Sequence, residues 1–253
     1  MTRFSSLEFD DAGGQPERHA GEPIRDERYF QDQAIRSCLH GDFELGLRNY
    51  SRALECNSHF LPGWAGQIRM LIELGEYKEA VIWADKAMEL FPEHPEFLSH
   101  KATASFRDGR FDKAMAFSDH ALSLDNPGPW VWLTRMEILL KQNRRIAETC
   151  IPKAVACAGP ETSLIRLQAG RILSRYDYYA CAMDLLSEAV RDFPKSPLAW
   201  YELGHCQRKL GQRKQARTSL EQAKILRPDW DIVDIESAAV DNRFWKRLLG
   251  RFF

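Results

Sequence analysis

Apolar side chains recur at three- and four-residue spacing along most of the chain, and short polar or glycine-bearing breaks divide them into helix-length runs. The pattern is cleanest over residues 197–228, PLAWYELGHCQRKLGQRKQARTSLEQAKILRP. Trp200, Leu203, Gly204 and Gln207 share one side of a first predicted helix, and Ala216, Leu220, Ala223 and Leu226 share one side of a second. Gly211 marks a tight turn between the two, and Pro228 stops the second. Gly204, Ala216 and Ala223 leave notches where a neighbouring helix can approach closely.

The same marks return every 34 residues. The turn position falls on Gly41, Gly75, Gly109, Asn143, Asp177 and Gly211, all tolerant of a left-handed or turn conformation. A bulky residue near the start of each unit is Phe30, Trp64, Leu98, Trp132, Arg166 or Trp200. The small residue late in the unit is Ala53, Ala87, Ala121, Val155, Ala189 or Ala223, and Pro92, Pro160, Pro194 and Pro228 close four of the units. With Trp-x2-Leu-Gly early and Ala and Pro later, this resembles the tetratricopeptide repeat. The resemblance covers Glu27 to Pro228 and implies an all-α fold, a right-handed superhelical solenoid of about six antiparallel helix hairpins.

Three regions are expected. Residues 1–26 carry six acidic and three basic side chains among helix-breaking glycines and prolines, and read as a disordered acidic segment. Residues 27–228 are the six repeats, and 229–253 are a capping helix beginning near Asp231 followed by a basic aromatic tail. Ile232, Ile235 and Ala239 have the helical spacing to cover the end of the array. Repeat four is the irregular unit. Its expected alanine is Glu148, and Pro152 falls within its second helix, which should start late or kink. Gly46 replaces the usual alanine of repeat one and allows very close packing.

Composition narrows the function more than the fold. A net charge of −1 and a pI near 6.7 give no global field for nucleic acid, and none is expected as a partner. The first residues hold no apolar run long enough for a signal peptide, and no run of 18 apolar residues occurs, so a cytoplasmic protein is expected. Cys38, Cys56, Cys150, Cys157, Cys181 and Cys206 form no CxxC pair and suggest neither a disulfide framework nor a metal site. There is no phosphate loop, nucleophile elbow or His-Glu-x-x-His. Asp119–His120 and His205–Cys206 are sequence neighbours about 100° apart on a helix, and neither makes a dyad. No catalytic residue, metal or cofactor is assigned, and a non-enzymatic protein is expected.

The resemblance supplies a candidate surface. In such repeats the first helix of each hairpin lines a concave groove that binds peptides. Carried onto this sequence, the groove positions give Arg69, Arg107, Trp130, Leu133, Lys141, Arg171, Arg175, Tyr201, His205, Arg208 and Lys209, a basic stripe with apolar anchors beside it. Basic residues late in a helix also complement its dipole without any ligand. The asparagine and lysine pattern of the chaperone-tail clamp is missing from every register. An interaction scaffold that takes a segment of an unidentified protein or peptide is therefore expected. The alternative lies in the tail, where Trp245, Lys246, Arg247, Leu248 and Leu249 combine an apolar stripe with positive charge. That combination suits a cap, oligomerisation or peripheral contact with a membrane surface.

Overall fold

Each amphipathic run has one face to bury, and stacking hairpins against one another buries it. The computed structural model describes residues 25–142 and 144–249, the side chains of Arg144 and residues 241–249 excepted. The expected acidic segment, apart from Arg25 and Asp26, thus lies outside the described residues. So do the turn residue Asn143 and the side chains of Trp245, Lys246, Arg247, Leu248 and Leu249.

The described residues form an all-α superhelical solenoid. Helices α1 (Glu27–His40) and α2 (Phe43–Cys56) make the first hairpin, α3 (Leu61–Glu73) and α4 (Tyr77–Leu90) the second, and α5 (Pro95–Arg107) and α6 (Phe111–Ser123) the third. In the fourth, α7 (Pro129–Leu140) is followed by two short pieces, α8 (Arg144–Glu148) and α9 (Cys150–Cys157). Helices α10 (Thr162–Arg175) and α11 (Tyr179–Asp192), then α12 (Pro197–Lys209) and α13 (Arg213–Leu226), complete the hairpins. A last helix, α14, runs from Asp231 to Leu249.

Local chemistry sets these boundaries. Asp26, Asp42 and Ser196 cap α1, α2 and α12 by accepting from the backbone N–H three residues on, and Pro95, Pro129 and Pro197 open α5, α7 and α12. Among the described residues the turn position takes up positive φ, 81° at Gly211 and 67° at Asp177, where the fifth hairpin manages without glycine. Between helices, the notch residues Ala53, Ala80, Ala87, Ala114, Ala121, Ala182, Ala189, Ala216 and Ala223 are completely buried.

Repeat four departs from the even 34-residue register. Helix α8 begins at the sixteenth residue of its unit, whereas α2, α4, α6, α11 and α13 begin at the seventeenth. The inward notches consequently move one residue early. Ala147 and Ala154 are fully buried, and Glu148 and Val155, the positions expected from the repeat, are only partly so. The helix breaks at Thr149, whose N–H and hydroxyl both reach back to the carbonyl of Ile146. Pro152 lacks the N–H that would have bonded the carbonyl of Glu148, so the continuous ladder is interrupted there. Amide exchange should accordingly be about tenfold faster over residues 145–157 than over 213–226. Equal protection, read by peptide mass spectrometry, would show that the break costs no local stability.

The face that α14 turns inward also differs from expectation. Val233, Glu236 and Val240 are buried against α12 and α13, while Ile232 and Ile235 are 42% and 69% exposed. The reason is visible at the preceding turn and in α12. Trp230 packs on Tyr201, and Glu236 is drawn inward by His205 and Arg208, which rotates the helix so that the two isoleucines face out.

The array curves until its ends meet. Leu39 of α1 packs into the core of repeats four to six. Ser196 donates its hydroxyl to the carbonyl of Leu39 at 2.6 Å, and Arg227 donates Nη1 to the carbonyl of His40 at 2.9 Å. Gly41 lies under the ring of Trp230, so close that a Cβ there would sit 2.8 Å from it.

Candidate functional site

The first helices of the hairpins, α1, α3, α5, α7, α10 and α12, line the inside of the curve. Because the curve is closed, their last turns converge. Glu73 ends α3, Arg107 ends α5, Arg175 ends α10, and Glu137 and Arg171 stand one turn earlier in α7 and α10. Arg107 grips both oxygens of Glu137 through Nε and Nη2, at 2.8 and 3.1 Å, and reaches Glu73 through Nη1 at 3.2 Å. Arg171 donates Nη2 to Glu73 at 2.7 Å and Nε to Glu202 at 3.1 Å. Arg175 adds contacts to both Glu73 and Glu137, and the Tyr176 hydroxyl donates to Glu137 at 3.1 Å.

The three arginines and the carboxylates of Glu73, Glu137 and Glu202 sum to zero formal charge. Burial alone would raise the Glu73 pKa, but the fields of Arg171, Arg107 and Arg175 outweigh it and hold the carboxyl well below the usual range. Glu137 behaves the same way, burial being overcome chiefly by Arg107. Of the basic residues read from the sequence, Arg107, Arg171 and Arg175 thus form an ion-pair plug, and Arg107 and Arg171 are spent within it.

On the N-terminal side of the plug is a cavity of about 60 Å³. Arg107 and Glu137 belong to its floor, while Ile35, Phe43, Leu133 and Ile172 give it apolar walls. Trp130 stands at its rim, with the Arg69 guanidinium stacked 4.2 Å from the ring centroid. Arg69 is also paired with Glu96 at 2.8 Å. Next to that pair His100 is buried, and burial lowers its pKa.

The other expected residues do not join this cavity. Lys141 and Lys209 are exposed, their ammonium groups 5.0 and 5.5 Å from the Phe106 and Tyr179 ring centroids. His205 and Arg208 both contact Glu236 of α14 at 2.6 Å, and Tyr201 lies against Trp230. Helix α14 therefore covers the inner surface of the sixth hairpin. The carboxylates Glu73, Glu137, Glu202 and Glu236, none of them among the expected site residues, decide what the arginines can do. A signal existed, since Glu73 and Glu137 occupy the same repeat positions as Arg107 and Arg171.

Comparison with known proteins gives the fold the same reading. The sequence profile of the tetratricopeptide repeat matches residues 179–234. The Cut9–Hcn1 hetero-tetramer of the APC/C aligns over 85% of this chain with a TM-score of 0.55 and 13% identity, and the chain spans 43% of that protein's length. Human IFIT1, solved as a dimer with m7Gppp-AAAA, aligns over 87% of this chain and 65% of its own, with a TM-score of 0.54 and 15% identity. A tetratricopeptide repeat protein from Parabacteroides merdae aligns over 85% of this chain and 84% of its own, with a TM-score of 0.51 and 13% identity. No curated protein matches in sequence. Six helix hairpins at a 34-residue spacing, a tetratricopeptide repeat profile over residues 179–234 and these shared architectures show that the chain has the fold of tetratricopeptide repeat proteins.

Proposed function

We propose that the chain is a non-enzymatic interaction scaffold that takes an apolar side chain, or the apolar end of a partner segment, into the inner cavity. The observation that carries this reading is the plug. Open concave grooves let an extended peptide run through, but here the last turns of the inner helices are joined by ion pairs. What is left is a blind, mainly apolar pocket with an aromatic rim, the kind of pocket that anchors a hot-spot residue. The chemistry of the lining favours binding over turnover. Glu73 and Glu137 stay ionised and are poor proton donors, and the Cys38 thiol, pushed up to about 12 by burial, is a poor nucleophile.

Peptides selected from a displayed library against the full chain test this directly. Trp130→Ala, at the rim, should weaken the selected peptides roughly tenfold, as loss of an aromatic anchor does. Ile82→Ala, at a residue 48% exposed and outside the cavity lining, should leave them unchanged. Equal affinity for the wild type and Trp130→Ala would reject the cavity as the partner site. Charge reversal at Arg107 is a poor probe, since it would break the plug as well as alter the surface.

A further inference from the structure

The cavity walls come from parts of the chain far apart in sequence. Ile35, Cys38 and Phe43 supply one side from α1 and α2, and Leu133, Leu164 and Ile172 face them from α7 and α10. Hairpins in an open solenoid touch only their neighbours, so nearest-neighbour packing does not fix the gap between these walls. Long-range ties do. One set meets at the plug, where Glu73 takes Arg171 at 2.7 Å and Arg175 at 3.4 Å from 98 and 102 residues away, and Arg171 stacks 5.2 Å from the Phe43 ring centroid. The other is the seam where α1 ends against α12 and the turn before α14.

At the seam, Leu39 packs inward and Ser196 bonds its carbonyl, and two further residues complete the contact. Arg227 Nη1 caps the carbonyl of His40, one of the α1 carbonyls that the helix leaves without an internal partner. Its positive charge also suits the negative end of the α1 dipole. The same guanidinium stacks 4.9 Å from the Trp230 ring centroid, and that ring covers Gly41. Neither Arg227 nor Trp230 touches the cavity.

We propose that Arg227 and Trp230 are positioning residues for the cavity. They hold the first and sixth hairpins together, and the cavity is complete only while this ring is shut. Opening the seam parts the two walls. A partner seated in the cavity would in turn favour the shut ring, because binding and closure stabilise each other by the same factor. As a control on partner loading this rests on the function proposed above; the opening of the ring does not.

Cys38 makes the opening measurable. It lines the cavity, is 8% exposed and sits with Sγ 3.1 Å from Met70 Sδ. Its thiol should alkylate slowly while the ring is shut. Cys150, 4% exposed in the core of the fourth hairpin, serves as an internal reference. Iodoacetamide labelling of the full chain, resolved peptide by peptide, should be about three- to tenfold faster at Cys38 in Arg227→Ala and in Trp230→Ala, with Cys150 unchanged. Arg227 lies at the surface of the seam, so its variant keeps the test alive if Trp230→Ala fails to fold. An unchanged Cys38 rate in a folded variant would overturn the proposal. So would a parallel rise at Cys150, because the array would then be loosening as a whole. The measurement needs no partner: a Cys38-specific response without any effect of Trp130→Ala on selected peptides would support the seam and fault the proposed function instead.

Discussion

Glu73→Gln is expected to lower the melting temperature by about 6–12 °C, corresponding to about 3 kcal/mol for an array of this size. Glutamine fills the same space but removes the negative charge on which Arg171, Arg107 and Arg175 converge. Removing one partner from a buried ion pair typically costs about 3–5 kcal/mol. The lower end applies because the Arg175 side chain is 35% exposed and can be rescued by water. The loss should fade in acid. The folded-state pKa of Glu73 lies below its ordinary value of 4.5, so its contribution is complete above about pH 4.5 and declines as pH falls further. Wild type and variant should therefore converge as the solution is acidified below that value. A gap that stayed constant down to pH 3 would mean that Glu73 acts through packing rather than charge.

Gly66→Ala should cost about 2 kcal/mol, against the usual gain from alanine in a helix. The Cβ would lie only 2.2–2.5 Å from three ring atoms of Tyr50, a side chain only 2% exposed between α2 and α3. The overlap is with three atoms of a ring rather than with one flexible tip, so either the whole Tyr50 ring or the two helices must move. Gly46 is the contrasting case. Its nearest neighbours are Met70 Sδ at 3.0 Å and Cys38 Sγ at 3.2 Å, the first of them the end of a flexible chain. Gly46→Ala should change stability by less than about 1 kcal/mol. Chemical denaturation of both variants checks the pair, and equal costs would show that the approach at Tyr50 is not the determinant.

These two sites show how far the sequence could be read. The helices, their turns and the inward alanines repeat with a period that periodicity alone detects, because each mark serves contacts within a hairpin or with the next one. Repeat four shows the first limit. Glu148 and Val155 sit at the right intervals, yet the helix starts a residue early and Ala147 and Ala154 take their places. A shift of one residue leaves the spacing of the surrounding marks intact and so leaves no trace in them. Helix α14 shows a second limit. Ile232 and Ile235 have apolar spacing as good as that of Val233 and Val240, and the choice between the faces was made by Glu236 meeting His205 and Arg208. The inner surface was hardest to foresee. Arg107 and Arg171 stand at groove positions as expected, but whether they face a ligand or a carboxylate depends on curvature. Curvature accumulates over hairpins from small packing angles, and it alone brings Arg171 to a glutamate 98 residues away.

The closed ring also bears on how such a chain can change its copy number. In an open array, stability grows by one unit and one interface with each added repeat, so lengthening or shortening is nearly neutral to the rest. Here Glu73 in the second hairpin must meet Arg171 in the fifth, and His40 at the end of α1 must meet Arg227 after α13. An extra unit between them would carry both partners past one another, and a missing unit would leave each short of its mate. The number of hairpins is thus fixed by the circumference they must complete, which turns an additive architecture into one of set size.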